Sequence, residues 1–255
     1  MCGRYTIIAT PEQLRALFRY LEQPNFPPRF NVAPTQPIAI VRLVNGERHF
    51  ALVRWGLLPS WVKDPKAFSL LINARGETVT EKPAYRAAMK RRRCLIPADG
   101  FYEWKAGGPR KQPYYIHARS GQPLAFGGLW ETWTGPNGEE LETAAIVTTA
   151  ANETLAPLHD RMPLVIAPDQ FDLWLGNGDE DTAAACALIK PAPDDLLEAY
   201  PVSTDVNRVA NDNPSLMQRA AEVDQTTPAP KRAVKRAAKP ATAKPKKDSG
   251  QGALF

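Results

Sequence analysis

The pattern of apolar and polar residues predicts a chain of short β-strands with a few helices around them. The clearest pair of strands, 38–44 and 48–55, flanks Asn45-Gly46, a dipeptide typical of a tight hairpin turn. Thr10-Pro11 followed by apolar residues at helical spacing predicts a helix over 11–21. The rest of the chain likewise mixes segments with strand-like and segments with helix-like spacing of apolar residues.

Further strands are predicted from β-branched and aromatic residues between Gly, Pro and Asn. They cover 70–75, 94–97, 100–104, 113–117, 124–130, 142–149, 162–166 and 202–206. Helices are predicted at 82–92, 152–158, 168–175 and 182–189. Because strands and helices do not alternate regularly, we expect an α+β fold, a single domain with a curved, barrel-like mixed or antiparallel sheet and peripheral helices.

The composition changes near residue 213, where Ala, Lys, Pro and Thr become dominant and aromatic residues vanish. Such a segment buries too little apolar surface to order itself. We therefore predict a domain over 1–212 and a disordered basic linker over 213–250. The chain then ends in Gln251-Gly252-Ala253-Leu254-Phe255, which brings two large apolar residues back after a long polar stretch.

The net charge of +5 comes from this linker. Residues 231–247 carry eight Lys or Arg and no acid, which leaves 24 basic against 27 acidic residues elsewhere. No apolar run approaches the roughly 18 residues of a membrane span. The three cysteines are widely spaced and include no CxxC pair, so we expect a reduced, cytoplasmic protein with no disulfide, metal or cofactor.

Cys2 follows the initiator methionine directly. Removal of Met1 would leave a free α-amine and a thiol on adjacent carbons, a pair that condenses with aldehydes to a five-membered thiazolidine. An α-amine titrates near ~8, so part of it is neutral at cellular pH. The alternative is that the second residue is chemically idle, as residues at chain ends commonly are.

Polar residues stand where several predicted strands or helices end. They are Asn73, Arg75, Glu103, His159 and Arg161. Glu103 lies among Phe, Tyr and Trp residues, a setting in which a carboxyl can exchange protons with a substrate. Glu103 could instead form a surface salt bridge, and His159 could cap a short helix.

Lys90-Arg91-Arg92-Arg93 is the most basic run outside the linker. It has two interpretations. The cations either complement the dipole at a helix C-terminus or bind phosphate groups.

The chain resembles the SOS response-associated peptidase (SRAP) family, whose members process abasic sites in DNA. The resemblance spans residues 2–210 and rests on motifs in the family's order: Met1-Cys2-Gly3-Arg4-Tyr5, Asn31-Val32-Ala33-Pro34-Thr35, Arg54-Trp55-Gly56-Leu57, Pro59-Ser60-Trp61, Ile72-Asn73-Ala74-Arg75-Gly76-Glu77, 93–104, Thr148-Thr149-Ala150-Ala151-Asn152 and His159-Asp160-Arg161-Met162-Pro163.

The resemblance implies that Cys2 traps the sugar aldehyde of an abasic site as a thiazolidine, after Met1 is removed by the protein itself. It implies that Asn73 holds the terminal amine or the sugar oxygen. Glu103 would move protons during ring opening and imine formation. His159 would act on the sugar hydroxyl and in reversal of the link.

The resemblance further implies binding to single-stranded or junction DNA. Arg4, Arg75 and Arg161 would hold phosphates, for which the planar guanidinium is well suited. Trp61 and the loop from Asn31 to Pro34 would stack on or wedge against bases beside the lesion. Without the resemblance, Trp61 would be expected in the core.

Gln251, Leu254 and Phe255 resemble the pentapeptide with which bacterial proteins bind the sliding clamp. A long linker would raise the effective concentration of such a motif at the replication fork. The alternative is a frayed tail whose lysines add salt-sensitive DNA affinity.

Two other functions remain open. A thiol peptidase would use Cys2, Glu103 and His159 for acyl transfer and would need no free amine. A clamp adaptor would bind DNA and never form a covalent adduct. In each case we expect a monomer in the cytoplasm, associated with the nucleoid.

Overall fold

The structure, a computed structural model, describes residues 2–105, 111–176 and 179–222. Its strands are β1 Tyr5–Ile7, β2 Arg29–Val32, β3 Pro37–Val44, β4 Glu47–Trp55, β5 Asn73–Arg75, β6 Arg93–Ala98, β7 Gly100–Lys105, β8 Gln112–Ala118, β9 Leu124–Thr134, β10 Glu140–Ala150, β11 Arg161–Pro163 and β12 Leu197–Pro201. Its helices are α1 Pro11–Phe18, α2 Arg86–Arg91, α3 Phe171–Leu175 and α4 Asp179–Ala187.

One sheet closes on itself. Its strands pair in the order β10-β4-β3-β6-β9, and β9 returns to pair with β10. The β4–β10 and β5–β10 pairs are parallel, whereas the other pairs of this ring are antiparallel. Trp55 and Phe126 are fully buried members of the core. The α+β fold with a barrel-like mixed sheet is therefore confirmed.

A second sheet has the order β12-β8-β7-β1-β2. Its strand β7 is separated from β6 of the first sheet only by Asp99, whose carboxylate accepts hydrogen bonds from the backbone of Ile8, at 2.5 Å, and of Ala9, at 2.9 Å. Burial raises the pKa of this carboxyl, and the two backbone donors oppose that shift. The sharp step at Asp99 thus links the barrel to the sheet that carries the amino-terminal strand.

The local predictions with a specific turn or cap residue are confirmed. Asn45 and Gly46 have φ values of 51° and 85°, as a two-residue turn of type I′ requires. Thr10 and Gln13 form a reciprocal capping box at the start of α1. That helix ends earlier than predicted, because Arg19 adopts a left-handed conformation with φ of 56°.

Two predicted elements are wrong. Residues 152–158 form successive turns instead of a helix. The strand that completes the second sheet is β12, which lies upstream of the predicted 202–206. The predicted segment instead overlaps a 3₁₀ helix at Thr204–Asn207. Ser203 caps that helix through its hydroxyl, which explains why the apolar pattern there does not continue as a strand.

The chain remains packed beyond residue 212. Pro214–Met217 form a 3₁₀ helix whose Leu216 is only 1% exposed, and Val202 bridges to Arg219. The packed part thus includes the first residues that the sequence assigns to the linker. The rest of the linker and the terminal motif Gln251, Leu254 and Phe255 lie outside the described residues.

The basic run at 90–93 is not one surface. Arg93 is buried and donates hydrogen bonds to the carbonyls of Met89, Trp174 and Gly176, which end two helices. Burial lowers the pKa of its guanidinium. Arg93 is therefore a structural residue that terminates α2 and α3, and a phosphate contact by this side chain is excluded.

In the described part of the chain, no helix is long and apolar enough to cross a membrane. Its cysteines, Cys2, Cys94 and Cys186, are all free thiols.

Candidate functional site around Cys2

The amino-terminal strand carries Cys2 into the interior. Tyr5 pairs with Phe101 on β7, and the ladder continues upstream, where the Tyr102 N–H donates to the Arg4 carbonyl at 2.9 Å. The chain ahead of β1 therefore runs toward Glu103, the next residue along β7. Cys2 itself is fully buried.

Asn73 holds the backbone of Cys2 from the barrel side. Its Nδ2 donates to the Cys2 carbonyl at 2.9 Å, while the Tyr85 hydroxyl donates to the Asn73 carbonyl at 3.0 Å. The Asn73 Oδ1 is buried with no hydrogen-bond partner within the part of the chain that is described. A buried acceptor left open costs about 1–3 kcal/mol, so this atom favours a donor brought by a ligand or by a processed terminus.

The environment of Cys2 keeps its thiol protonated. Burial raises the pKa of this thiol, and the negative charge of nearby Glu103 raises it further. The positive charge of the chain terminus and a backbone hydrogen bond involving Arg4 oppose these effects. The protonated Sγ also lies 3.8 Å from the Arg4 carbonyl, to which it donates a weak hydrogen bond. Cys2, Asn73 and Glu103, predicted from distant motifs, are thus brought together in one site.

Glu103 points into a confined environment on β7. The residue is 7% exposed, and its Oε1 accepts a hydrogen bond from the Trp104 N–H at 3.2 Å. On the other side of β7, Glu103 pairs with Tyr114 of β8. Glu103 therefore does not lie on an exposed face of β7.

His159 lies just before β11, which pairs with β10. Asn73 lies on β5, which also pairs with β10. The His159 Nδ1 accepts the Arg161 N–H at 3.0 Å, which in the neutral ring leaves the proton on Nε2. The exposed Asp160 carboxylate lies 2.7 Å from the same Nδ1 and can accept a hydrogen bond there only when Nδ1 carries a proton. In the tautomer with the proton on Nε2, the backbone bond fixes the orientation of the ring.

Arg75 and Arg161 flank the end of β10. Arg75 pairs with Thr148 across the parallel β5–β10 ladder and is exposed. Arg161 donates to the Thr148 carbonyl at 2.6 Å and to Glu77 at 2.5 Å. Arg75 is therefore the more accessible of the two cations.

Arg4 and Asn31 have partners that the sequence did not indicate. Arg4 donates to Asn31 Oδ1 at 2.9 Å and to the Val206 carbonyl at 2.7 Å. The buried Asn31 amide donates to the carbonyls of Val206, Arg208 and Asn211. The Asn31 side chain fastens segment 206–211 to β2, a structural role that replaces the expected contact with a base.

Trp61 lies on the surface and is 58% exposed, so the expectation of a core position without the resemblance is wrong. Its ring meets Phe68 edge-on, with 5.7 Å between centroids. Pro34 is half-buried and precedes Thr35, whose φ of 74° is unusual for a β-branched residue.

Sequence analysis did not identify Tyr85 as a residue of the site. The hydroxyl of this buried tyrosine connects α2 to Asn73. A polar tip on an otherwise apolar helix face was the signal that could have indicated a tertiary partner.

The model of the family "SOS response associated peptidase (SRAP)" matches residues 1–209. The abasic site processing protein YoqW of Bacillus subtilis is 38% identical over 222 residues, which cover 86% of this chain and 99% of YoqW. YedK of Escherichia coli, also named an abasic site processing protein, is 33% identical over 86% of this chain and 99% of its own length. HMCES of Xenopus tropicalis, with the same description, is 32% identical over 85% of this chain and 78% of its own.

A crystal structure of a protein from Bacteroides thetaiotaomicron superposes with a TM-score of 0.78 at 26% identity, covering 86% of this chain and all of that one. The family match extends across β1 to β12, the strands that position Cys2, Asn73, Glu103 and His159. The chain belongs to the SRAP family.

Proposed function

We propose that this protein recognises abasic sites in single-stranded or junction DNA and links to them covalently through Cys2 once Met1 has been removed. The relatives named abasic site processing proteins support the substrate. The observation that carries the chemistry is the placement of residue 2, whose carbonyl is held by Asn73 and whose thiol lies beside Glu103.

The reaction joins an aminothiol to an aldehyde. The neutral amine of Cys2 attacks C1′ of the ring-opened sugar, and the carbinolamine loses water to give an imine. The Cys2 sulfur then bonds to the same carbon while the thiol proton passes to the nitrogen. One water leaves and a thiazolidine remains, closed rapidly because both groups belong to one residue.

The side chains around Cys2 have matching roles. The open Oδ1 of Asn73 accepts a hydrogen bond from the terminal amine or from a sugar hydroxyl. Glu103 exchanges protons during ring opening and loss of water. His159 acts on the sugar hydroxyl and in reversal of the link. Arg75 and Arg161 hold flanking phosphates, and Trp61 and Pro34 contact bases beside the lesion.

A peptidase acting on other proteins would need the Cys2 thiolate as its nucleophile. The pKa of the Cys2 thiol is instead raised by burial and by Glu103, which disfavours the thiolate at neutral pH. Imine formation begins at the amine, so the protonated thiol does not hinder the first step of thiazolidine formation.

A blocked terminus separates these two functions. We expect protein with a free Cys2 amine to give a heat-stable shifted band on a denaturing gel with a glycosylase-treated, uracil-containing oligonucleotide. Protein whose Cys2 amine is acetylated should give none, because no imine can form. Equal adduct from both forms would show that the Cys2 amine is not required and would overturn the proposal. Casein cleavage that acetylation leaves intact, without any adduct, would support acyl-transfer chemistry instead.

We also propose that Gln251, Leu254 and Phe255 bind the bacterial sliding clamp. The sequence pattern supports this assignment. A chain ending at Gly250 should crosslink abasic DNA at the wild-type rate and lose affinity for the clamp in a pull-down or calorimetric titration. Unchanged clamp affinity of the shortened chain would refute the assignment.

A further inference from the structure

A basic depression lies on the surface formed by α2 and α4. It encloses about 640 Å³ and is open to solvent. Its polar lining consists of Thr80, Arg86, Lys90, Arg91, Arg92 and Thr182. None of the lining residues that the structure describes is acidic.

The charge of this depression is only partly neutralised. Arg92 forms an ion pair with Glu131 at 2.6 Å, which compensates the charge of its guanidinium. Arg86 and Arg91 are exposed. The negative charge of Asp181 on neighbouring α4 acts on the buried Arg93.

The helix dipole explains only part of this arrangement. Lys90 and Arg91 lie in the last turn of α2, where cations are favourable. Arg86 is the first residue of the same helix, whose first turn contains no acid. A cation there opposes the dipole. An anionic ligand would offset this effect.

The depression is connected to the Cys2 site. Tyr85 directly precedes α2, and its hydroxyl holds the carbonyl of Asn73, which in turn holds Cys2. Exposed Arg75 lies two residues after Asn73 on β5. At ~1.5 Å of rise per residue, Arg86 and Arg91 are about 7.5 Å apart along the helix, which is comparable with the distance between neighbouring phosphates of one DNA strand.

We infer that this depression is a second phosphate site, which holds the backbone of the DNA strand leading away from the nucleotide at Cys2. Arg86 and Arg91 make the main contacts, and the hydroxyls of Thr80 and Thr182 complete the lining. The inference rests on the proposed function for the direction of the strand, and on the depression itself for phosphate binding.

The test uses the full chain with Arg86→Gln and Arg91→Gln together, and undamaged single-stranded oligonucleotides of about 4 and about 20 nucleotides. Because each phosphate contact on a single strand contributes about 0.7 to the salt slope, we expect the slope for the longer probe to fall by about 1.4. Its affinity at low salt should fall about tenfold. The shorter probe, which spans only the Cys2 site, should bind as before.

Two matched variants control for bulk charge. Arg86→Lys with Arg91→Lys keeps the charge and should keep the affinity. Arg15→Gln with Arg119→Gln removes two exposed cations elsewhere and should leave the slope unchanged. An unaltered slope in the Arg86/Arg91 glutamine variant, or an equal fall in the Arg15/Arg119 variant, would overturn the inference.

The proposed function can fail separately. If wild-type protein forms no adduct with abasic DNA while the Arg86/Arg91 variant still loses affinity for the longer probe, the phosphate site stands and the crosslinking proposal does not. If wild-type protein forms adducts while the salt slope of the Arg86/Arg91 glutamine variant is unaltered, the crosslinking proposal stands and the phosphate site does not.

Discussion

Replacing Cys2 with serine is expected to abolish the heat-stable adduct while preserving an imine. The Cys2→Ser protein, once Met1 is removed, retains the α-amine, so condensation with the sugar aldehyde still proceeds. The serine hydroxyl is a much weaker nucleophile toward the imine carbon than the Cys2 thiol. Borohydride added during the reaction should therefore trap a covalent complex of the Cys2→Ser protein, and omission of borohydride should give none on a denaturing gel.

This pair of measurements assigns separate roles to amine and thiol. Cys94→Ser is the matched control, because Cys94 is equally buried but lies in β6, remote from the terminus in sequence. It should form the adduct without borohydride. A heat-stable adduct from Cys2→Ser protein, with no reductant present, would show that the thiol does not form the final bond.

How far the sequence anticipates this molecule depends on the range of the interactions involved. The hairpin at Asn45-Gly46 and the capping box at Thr10 are specified within a few residues, and both are present as predicted. Closure of the barrel requires β9 and β10 to pair with each other and with β6 and β4. No local periodicity encodes which strands become neighbours, so only the general barrel-like character was predictable.

The same distinction applies to the site. Cys2, Asn73 and Glu103 could be grouped only because the resemblance assigns them to one site, since the Asn73–Cys2 hydrogen bond joins residues 71 positions apart. The motifs identified Arg4 and Asn31 but not the groups that these side chains contact. Those groups include the carbonyl of Val206 and lie far away in the sequence. A short motif identifies a residue type at a position; the side-chain partner depends on the tertiary fold.

Glu103→Gln is expected to slow adduct formation by about 10²–10⁴-fold, the usual effect of removing a positioned general acid or base. Glutamine keeps the shape of the buried side chain and can still accept the Trp104 N–H, but it cannot exchange a proton. The Glu103 charge also contributes to the raised pKa of the Cys2 thiol, so its removal should lower that pKa. Slower crosslinking together with easier ionisation of the Cys2 thiol distinguishes proton transfer from a simple electrostatic effect.

The rate of adduct formation measured against pH, with excess abasic oligonucleotide, tests this prediction. Glu131→Gln is the matched control, because Glu131 is also a glutamate of 7% exposure. Its carboxylate forms an ion pair with Arg92 on the basic surface, whereas Glu103 lies beside Cys2. That variant should lose stability and keep its crosslinking rate. Glu103→Ala should recover part of the rate when formate is added, since a small carboxylate can enter the vacated space and carry the proton. A Glu103→Gln protein that crosslinks at the wild-type rate across the pH range would remove Glu103 from the mechanism and leave the amine and thiol of Cys2 to react without a proton carrier.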